Sequence, residues 1–416
     1  MLTPLEKKNV FHYFVTDISV FISVYLSFLT MVWIDYTKFH SSAQLGVIGF
    51  AQNVPFMLFS VYGGVIADRY NRRKIIINFN FIFVILALVV FFIFITNNLT
   101  YPVILICSFM LGGFFSLYYP SMIAIVKDMI ADEKEFPKVM GAAASNAKIG
   151  QLIASSSFSF LIAAFSAAGT FLSAFIFNVI AYFSFMRVKG VQQQYQTKTE
   201  GVFQQIKTGL SYTFQNKVLL GIILAATAIS SVFVFVTFQL VAIDSTFMGG
   251  GSSQLGVLFI AGAVGGLTSG IYLGKRKSTK NLLWFLIICI FVSGASLIGL
   301  AFSRTLWLSF IFAMGVDFAF IATMGMSNTL LQLLSDPDKC GRVLGVNTMF
   351  CWGVSSVIMM LFGFFISSLG LQTIMIIVSL LVLASGVIYI AALKFQKPVF
   401  SKLYKLRNIP DASIPY

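Results

Sequence analysis

The chain has 416 residues, of which 58% are apolar and only 10% charged, and its formal net charge is +14. A globular domain carries roughly 25% charged residues, so this composition cannot coat a water-facing surface; it excludes a soluble enzyme, a coiled coil and a disordered chain. At about 20 apolar residues per bilayer crossing, the apolar content suffices for roughly twelve spans.

Taken in chain order, apolar windows bounded by charge, Gly or Pro predict spans at 12–34, 43–66, 74–96, 101–126, 139–163 and 168–187. Six more follow at 218–243, 253–274, 281–302, 305–331, 342–368 and 371–393. The expected fold is all-α and polytopic, with twelve transmembrane helices in two six-helix bundles, 1–187 and 218–393. Between them, 188–217 is rich in Gln and Lys and reads as a cytoplasmic linker, and 394–416 as a cytoplasmic tail. The first segment lacks a small-residue cleavage signature and reads as a retained helix.

Basic residues set the orientation. Of the 28, 25 fall on one side, Lys38 and Arg304 lie in loops on the other, and Lys148 lies inside a span. That bias predicts that both termini are cytoplasmic. It accounts for the positive charge as topology and headgroup contact, with no nucleic-acid partner. Cys107, Cys289, Cys340 and Cys351 show no CxxC or metal-ligand spacing and read as small hydrophobes. The two histidines, His12 and His40, form no metal cluster, so neither metal nor cofactor is expected. No GxxxxGK[ST] occurs, which leaves an ion or substrate gradient as the energy source.

Segment 42–64 aligns without gaps on 252–274. Ser42/Ser252, Gln44/Gln254, Leu45/Leu255, Gly46/Gly256, Val47/Val257, Tyr62/Tyr272 and Gly64/Gly274 coincide. A second echo pairs Lys138-Val-Met-Gly141 with Arg342-Val-Leu-Gly345, so span 2 matches span 8 and span 5 matches span 11. Two parallel six-helix repeats are the build of rocking secondary transporters.

Between spans 2 and 3 stands Gly64-Val-Ile-Ala-Asp68-Arg69-Tyr-Asn71-Arg72-Arg73-Lys74. This loop resembles that of the major facilitator superfamily, approximately GxLADRxGRRxxL. Gly64, Asp68, Arg69, Arg72 and Arg73 match, and Asn71 replaces the usual Gly. The physics suits a gating latch: a small residue for close approach, and a carboxylate at a neighbouring helix N-terminus held among arginines. The expected partner of Asp68 is the start of span 11, near Gly341–Gly345. The plainer reading is a positive-inside anchor. Within the superfamily the chain is similar to the bacterial macrolide-efflux and enterobactin-exporter branch, through SSAQLGVIGFAQNVPFMLFSVYGGVIADRYNRRKIII and LLQLLSDPDKCGRVLGVNT. It departs from the wider superfamily in lacking the span 4 arginine of the proton-relay motif and the span 5 Gly-Pro pair of drug:proton antiporters. The resemblance implies a bacterial inner-membrane transporter, not an enzyme.

Ionisable residues at mid-membrane cost at least about 2.5–3.5 kcal/mol and are functional candidates by default. Lys148 lies deep in span 5, with Ser145, Gln151 and Ser155 on its face, a polar stripe suited to a water-filled path. Substrate contact and a structural ion pair are both open. The resemblance adds a basic residue at the matching place in the enterobactin exporter, which favours anionic substrate groups. Asp317 lies deep in span 10 beside Met314, Ile321, Met324 and Asn328, placed either to couple protons or to hold structure. Asp17 is expected near the cytoplasmic interface, within snorkelling reach, as a second proton-coupling candidate. Asp35 and Asp244 are expected at wet outer ends. Tyr118 and Tyr119, with Phe114 and Phe115, are candidates for an aromatic cavity floor. Gln52, Asn53 and Pro55 suggest a kinked gate helix. Asn146, Gln239, Asn347 and Trp352 suit interhelical hydrogen bonds or a cavity wall.

The combined expectation is a proton-coupled, alternating-access exporter of an amphipathic metabolite or drug, leaning to an anionic siderophore and working as a monomer in the bilayer. The substrate-contact set is Lys148, Gln151, Tyr118, Tyr119 and Asn328. The alternatives are an importer or lysophospholipid flippase of the same fold, or a membrane transferase, which would need a polar catalytic cluster that His12 and His40, on opposite sides, do not make.

Overall fold

The computed structural model describes residues 3–130, 135–191, 202–276, 282–336 and 339–406. The helices are α1 (Pro4–Phe39), α2 (Ser42–Arg69), α3 (Arg72–Ile95), α4 (Tyr101–Met129), α5 (Phe136–Met186) and α6 (Val202–Gln215). After these come α7 (Lys217–Met248), α8 (Ser252–Lys275), α9 (Leu282–Phe302), α10 (Leu306–Leu334), α11 (Cys340–Thr348), α12 (Ser355–Leu369) and α13 (Leu371–Leu406). No strand occurs among the described residues. Among the described residues, ten segments are long and apolar enough to cross a bilayer, with α11, α12 and the turn between them counted as one.

Local chemistry sets the helix ends. Thr3 and Glu6 form a reciprocal capping box that starts α1. Asn71, the departure from the expected loop, caps α3 by accepting from the Lys74 N–H at 3.0 Å. Asn216 caps α7, and Gly249, at φ 92°, ends it in a conformation that only glycine adopts without strain. Ser166 has φ 56° and breaks α5 inside the gap expected between the fifth and sixth spans. Met349–Val354 is a π-helical turn joining α11 to α12, a distortion that often marks functional positions.

In the first part of the chain α1 packs on α5, α2 on α4, and α3 on α4 and α5. In the second, α10 packs on α7, α8 and α9, and α13 on α9 and α7. The two parts meet along α5–α8 and α2–α12, with α2 also against the π-turn.

One end of the assembly carries the α1–α2, α3–α4, α7–α8 and α9–α10 turns, and the seam is shut there. Ser159 donates to the Ser252 carbonyl at 2.6 Å, Gln239 to the Ser42 carbonyl at 2.8 Å, and the Phe28 and Phe238 rings meet edge to face at 4.9 Å. Gly46 and Gly363 face each other closely enough that a Cβ on Gly46 would lie 3.4 Å from the Gly363 Cα. We call this the turn end, and the opposite one, with the α2–α3 loop, the loop end.

Candidate functional site

The centre of the seam holds a buried ion pair. Lys148 of α5 reaches past α8 to Asp317 of α10, with Nζ 3.3 Å from Oδ1, and donates to Gln151 Oε1 at 2.7 Å. Two glycines of α8 make the space. A Cβ on Gly262 would come 2.6 Å from Asp317 Oδ2, and one on Gly266 would come 3.0 Å from Lys148 Nζ. Lys148, Gln151 and Asp317 are all more than nine-tenths buried. The stripe expected to line a water path is therefore closed over here: Ser155 is fully buried and only Ser145 is exposed. A buried pair of this kind is near break-even in stability, yet losing one partner strands a charge.

Beside the pair runs a continuous band of aromatic rings. Lys148 Nζ lies 5.9 Å from the Phe233 ring centroid, and Phe233 stacks on Phe320 at 3.8 Å. Both meet Trp352 edge-on, and Trp352, in the π-turn, stacks on Phe56 of α2 at 5.7 Å. The band continues from Phe56 through Phe115 to Tyr119 and Phe21. It joins the two parts of the chain through α1, α2, α4, α7 and α10. Trp352, Phe115 and Tyr119 were legible in sequence. Phe21, Phe56, Phe233 and Phe320 were not, because nothing distinguishes them among 46 phenylalanines.

Among the described residues, the other candidates make no hydrogen bond or ion pair with Lys148 or Asp317, whose polar contacts are with each other and Gln151. Asp17 is not at an interface: α1 begins at Pro4, so Asp17 is inside the bundle, buried, and accepts from Asn146 Nδ2 at 3.0 Å. Tyr118 is buried against Phe83 and Phe115, whereas Tyr119 is exposed on the band. Asn328 accepts from Asn347 at 3.0 Å, eleven residues and roughly 16 Å along α10 from Asp317. Asp35 and Asp244 are not wet: they are 0% and 1% exposed. The reason is that α1 and α7 run five residues past their expected ends at 34 and 243, which draws both carboxylates inside the packed helices.

At the loop end, Arg72 donates to both oxygens of Asp128, at 2.8 and 2.9 Å, and its Nε donates to the Ala67 carbonyl at 2.8 Å. Arg73 donates to the Met186 and Val188 carbonyls, tying the start of α3 to the end of α5. Asp128 was not singled out in the sequence. Toward this end α2 approaches α4 closely at Gly63, where a Cβ would lie 2.8 Å from the Ser116 carbonyl oxygen. At Gly64 a Cβ would meet nothing within 4 Å, so its side of α2 is open in this conformation. Arg69 is exposed; the Asp68 side chain, and with it the expected latch to α11, lies outside the described residues.

The Major Facilitator Superfamily family model matches residues 14–360. The chain belongs to that superfamily. It is therefore a multi-pass membrane transporter and not an enzyme. Among curated proteins it is 22% identical to macrolide efflux protein A of Streptococcus pyogenes over 316 residues, 72% of this chain and 76% of that one. It is 24% identical to the staphyloferrin A transporter of Staphylococcus aureus over 119 residues, which span 28% of this chain and 30% of that protein. Among solved structures, a bacterial homolog of the human lysosomal transporter Spinster superposes with a TM-score of 0.73 at 13% identity, covering 95% of this chain and 98% of that one. A POT family transporter in complex with 5-aminolevulinic acid gives 0.74 at 12% identity, covering 92% and 95%. At such identities the structures speak for the superfamily fold alone.

Proposed function

We propose that this superfamily member is a twelve-span secondary transporter built from bundles at 1–187 and 218–393, exporting an anionic amphipathic compound by alternating access coupled to protons. The break at Ser166 and the length of α2 support two spans more than the ten counted by apolarity. The basic-residue bias supports placing the loop end in the cytoplasm of a bacterial inner membrane, with the turn end shut toward the outside.

The observation that carries this reading is the buried Lys148–Asp317 pair, held across the seam beside an aromatic band. A cation engaged by an internal carboxylate is a recognition site in waiting. A proton on Asp317 removes its charge and frees the ammonium for a carboxylate or catecholate of the substrate. Loss of substrate returns Lys148 to Asp317 and expels the proton. Phe233, Phe320 and Trp352 would cover the apolar body of such a ligand, siderophores being one class that combines the two features. Gln151, Tyr119, Tyr118 and Asn328 are assigned to the walls of the opened cavity, and Asp17 to a second proton step.

The test is transport in inverted vesicles with an imposed pH gradient. Asp317→Asn should lose concentrative uptake driven by the gradient while retaining exchange of labelled for unlabelled substrate, and Lys148→Ala should lose anionic substrates altogether. Gradient-driven accumulation by Asp317→Asn would defeat the coupling role.

A further inference from the structure

The turn end holds a second ionisable feature that the transport scheme leaves unused. The internal repeat extends into the preceding helices: Val32, Ile34, Asp35 and Thr37 of α1 recur as Val241, Ile243, Asp244 and Thr246 of α7. The two aspartates thus occupy corresponding places, each followed by the matched Gln44 or Gln254 at the start of the next helix.

Their surroundings differ. Asp244 is satisfied: the Gly251 N–H donates to its Oδ2 at 3.1 Å, and the Gln254 amide, in its proper orientation, donates to Oδ1 at 3.2 Å. Asp35 is fully buried, and among the described residues neither of its oxygens has a hydrogen-bond partner. The Gln44 Oε1 is likewise buried without a donor. The α1–α2 turn is His40-Ser41, where the α7–α8 turn has three glycines, and the Ser41 hydroxyl is engaged in capping α2. Lys38, one turn along α1, points its ammonium at the Leu99 carbonyl, 3.4 Å away. The Tyr101 ring of α4 lies edge-on to Phe39 at 6.3 Å, so its hydroxyl is the titratable group that α4 brings to this end of α1.

A bare charge in such a place is far more costly than a neutral acid, and three acceptor oxygens with no donor call for one. We propose that Asp35 is a proton-binding site at the shut turn end, the acid being held neutral while its counterpart Asp244 stays an ionised structural acceptor. A proton on one oxygen removes the charge that no hydrogen bond offsets, whereas in the repeat Gln254 and Gly251 hold the equivalent carboxylate. When this end opens and water reaches α1, the carboxyl can ionise, and it must be neutralised again before the end shuts. Proton availability at this face would then set how readily the outer seam closes, independently of the central pair. That consequence rests on the alternating-access reading above, whereas protonation of Asp35 does not, so the two can fail separately.

The experiment is infrared spectroscopy on the purified full-length protein near neutral pH, comparing wild type with Asp35→Asn and Asp244→Asn. Asp35→Asn should remove intensity from the carboxylic-acid C=O band, and Asp244→Asn should remove ionised-carboxylate intensity. Thermal unfolding gives a second readout: Asp35→Asn, which mimics the neutral acid, should melt with the wild type, while Asp244→Asn should melt lower. Loss of ionised-carboxylate signal in Asp35→Asn, or a fall in melting temperature matching that of Asp244→Asn, would overturn the proposal. So would stabilisation of the wild type, but not of Asp35→Asn, by sodium over choline chloride, since the occupant would then be a metal cation.

Discussion

Gly266 lies against Lys148 so closely that a methyl group on its Cα would sit 2.6 Å from the lysine Cε and 3.0 Å from Nζ. The lysine is therefore positioned by a missing side chain on a neighbouring helix as much as by its carboxylate partner. Gly266→Ala should push Lys148 off Asp317, lowering stability by about 1–3 kcal/mol, the usual range for overpacking. Gly270→Ala, one turn along the same helix with nothing within 4 Å, should be neutral or slightly stabilising. Thermal unfolding of the two variants in detergent separates these outcomes.

The ion pair itself should behave non-additively. Lys148→Met or Asp317→Leu alone strands a buried charge and is expected to cost about 3–5 kcal/mol. The double variant, with two apolar groups in place of the pair, should recover most of that loss while remaining transport-dead. A double-mutant cycle by chemical or thermal unfolding, run beside the vesicle assay, would show whether stability and transport separate in this way.

At the loop end, Arg72 and Asp128 form a largely buried pair. Arg72→Gln should cost about 1.5–3 kcal/mol, the range for a hydrogen bond to a charged group, and slow transport. The exchange Arg72→Asp with Asp128→Arg should restore part of both. Asp68→Asn, in the same motif, should impair transport while the protein still inserts and binds ligand. Full transport by a well-expressed Asp68→Asn protein would reduce that loop to an orientation signal.

Trp352 links the ring band across the seam, so Trp352→Ala should weaken binding of aromatic or long apolar substrates by about tenfold or more, equivalent to ~1.4 kcal/mol. Small anions should bind nearly as before, because Lys148 is left in place. Ligand-induced thermal shifts across a substrate series would measure the difference.

Much of this molecule was readable from its residues. Apolar windows located the membrane helices, and the starts expected at 43 and 253 fall one residue from Ser42 and Ser252, where α2 and α8 begin. The positions of Lys148 and Asp317 made them candidates because charge is scarce and costly in an apolar span. What stayed hidden depended on packing. Helix ends at α1 and α7 could not be read where Asp35 and Asp244 made the sequence look polar, and burial of those groups follows from neighbours distant in the chain. The band's Phe21, Phe56, Phe233 and Phe320 and the Asp128 partner of Arg72 were equally silent, since common residue types carry no mark of which neighbour they will meet.

The glycines at the shut seam reveal a symmetry of descent. The alignment that lays Gly46 on Gly256 belongs to one repeat, and the offset that lays Lys138 on Arg342 also lays Ser159 on Gly363. Gly46 meets Gly363, and Gly256 meets Ser159, so one contact is made twice about a pseudo-twofold axis. That is the geometry of an isologous dimer interface drawn within a single polypeptide. The halves would accordingly retain mutual recognition when the covalent connection is cut. Co-expressed fragments 1–191 and 202–416 should find each other in the bilayer, and enlarging either Gly46 or Gly256 should loosen that reunion in the same direction.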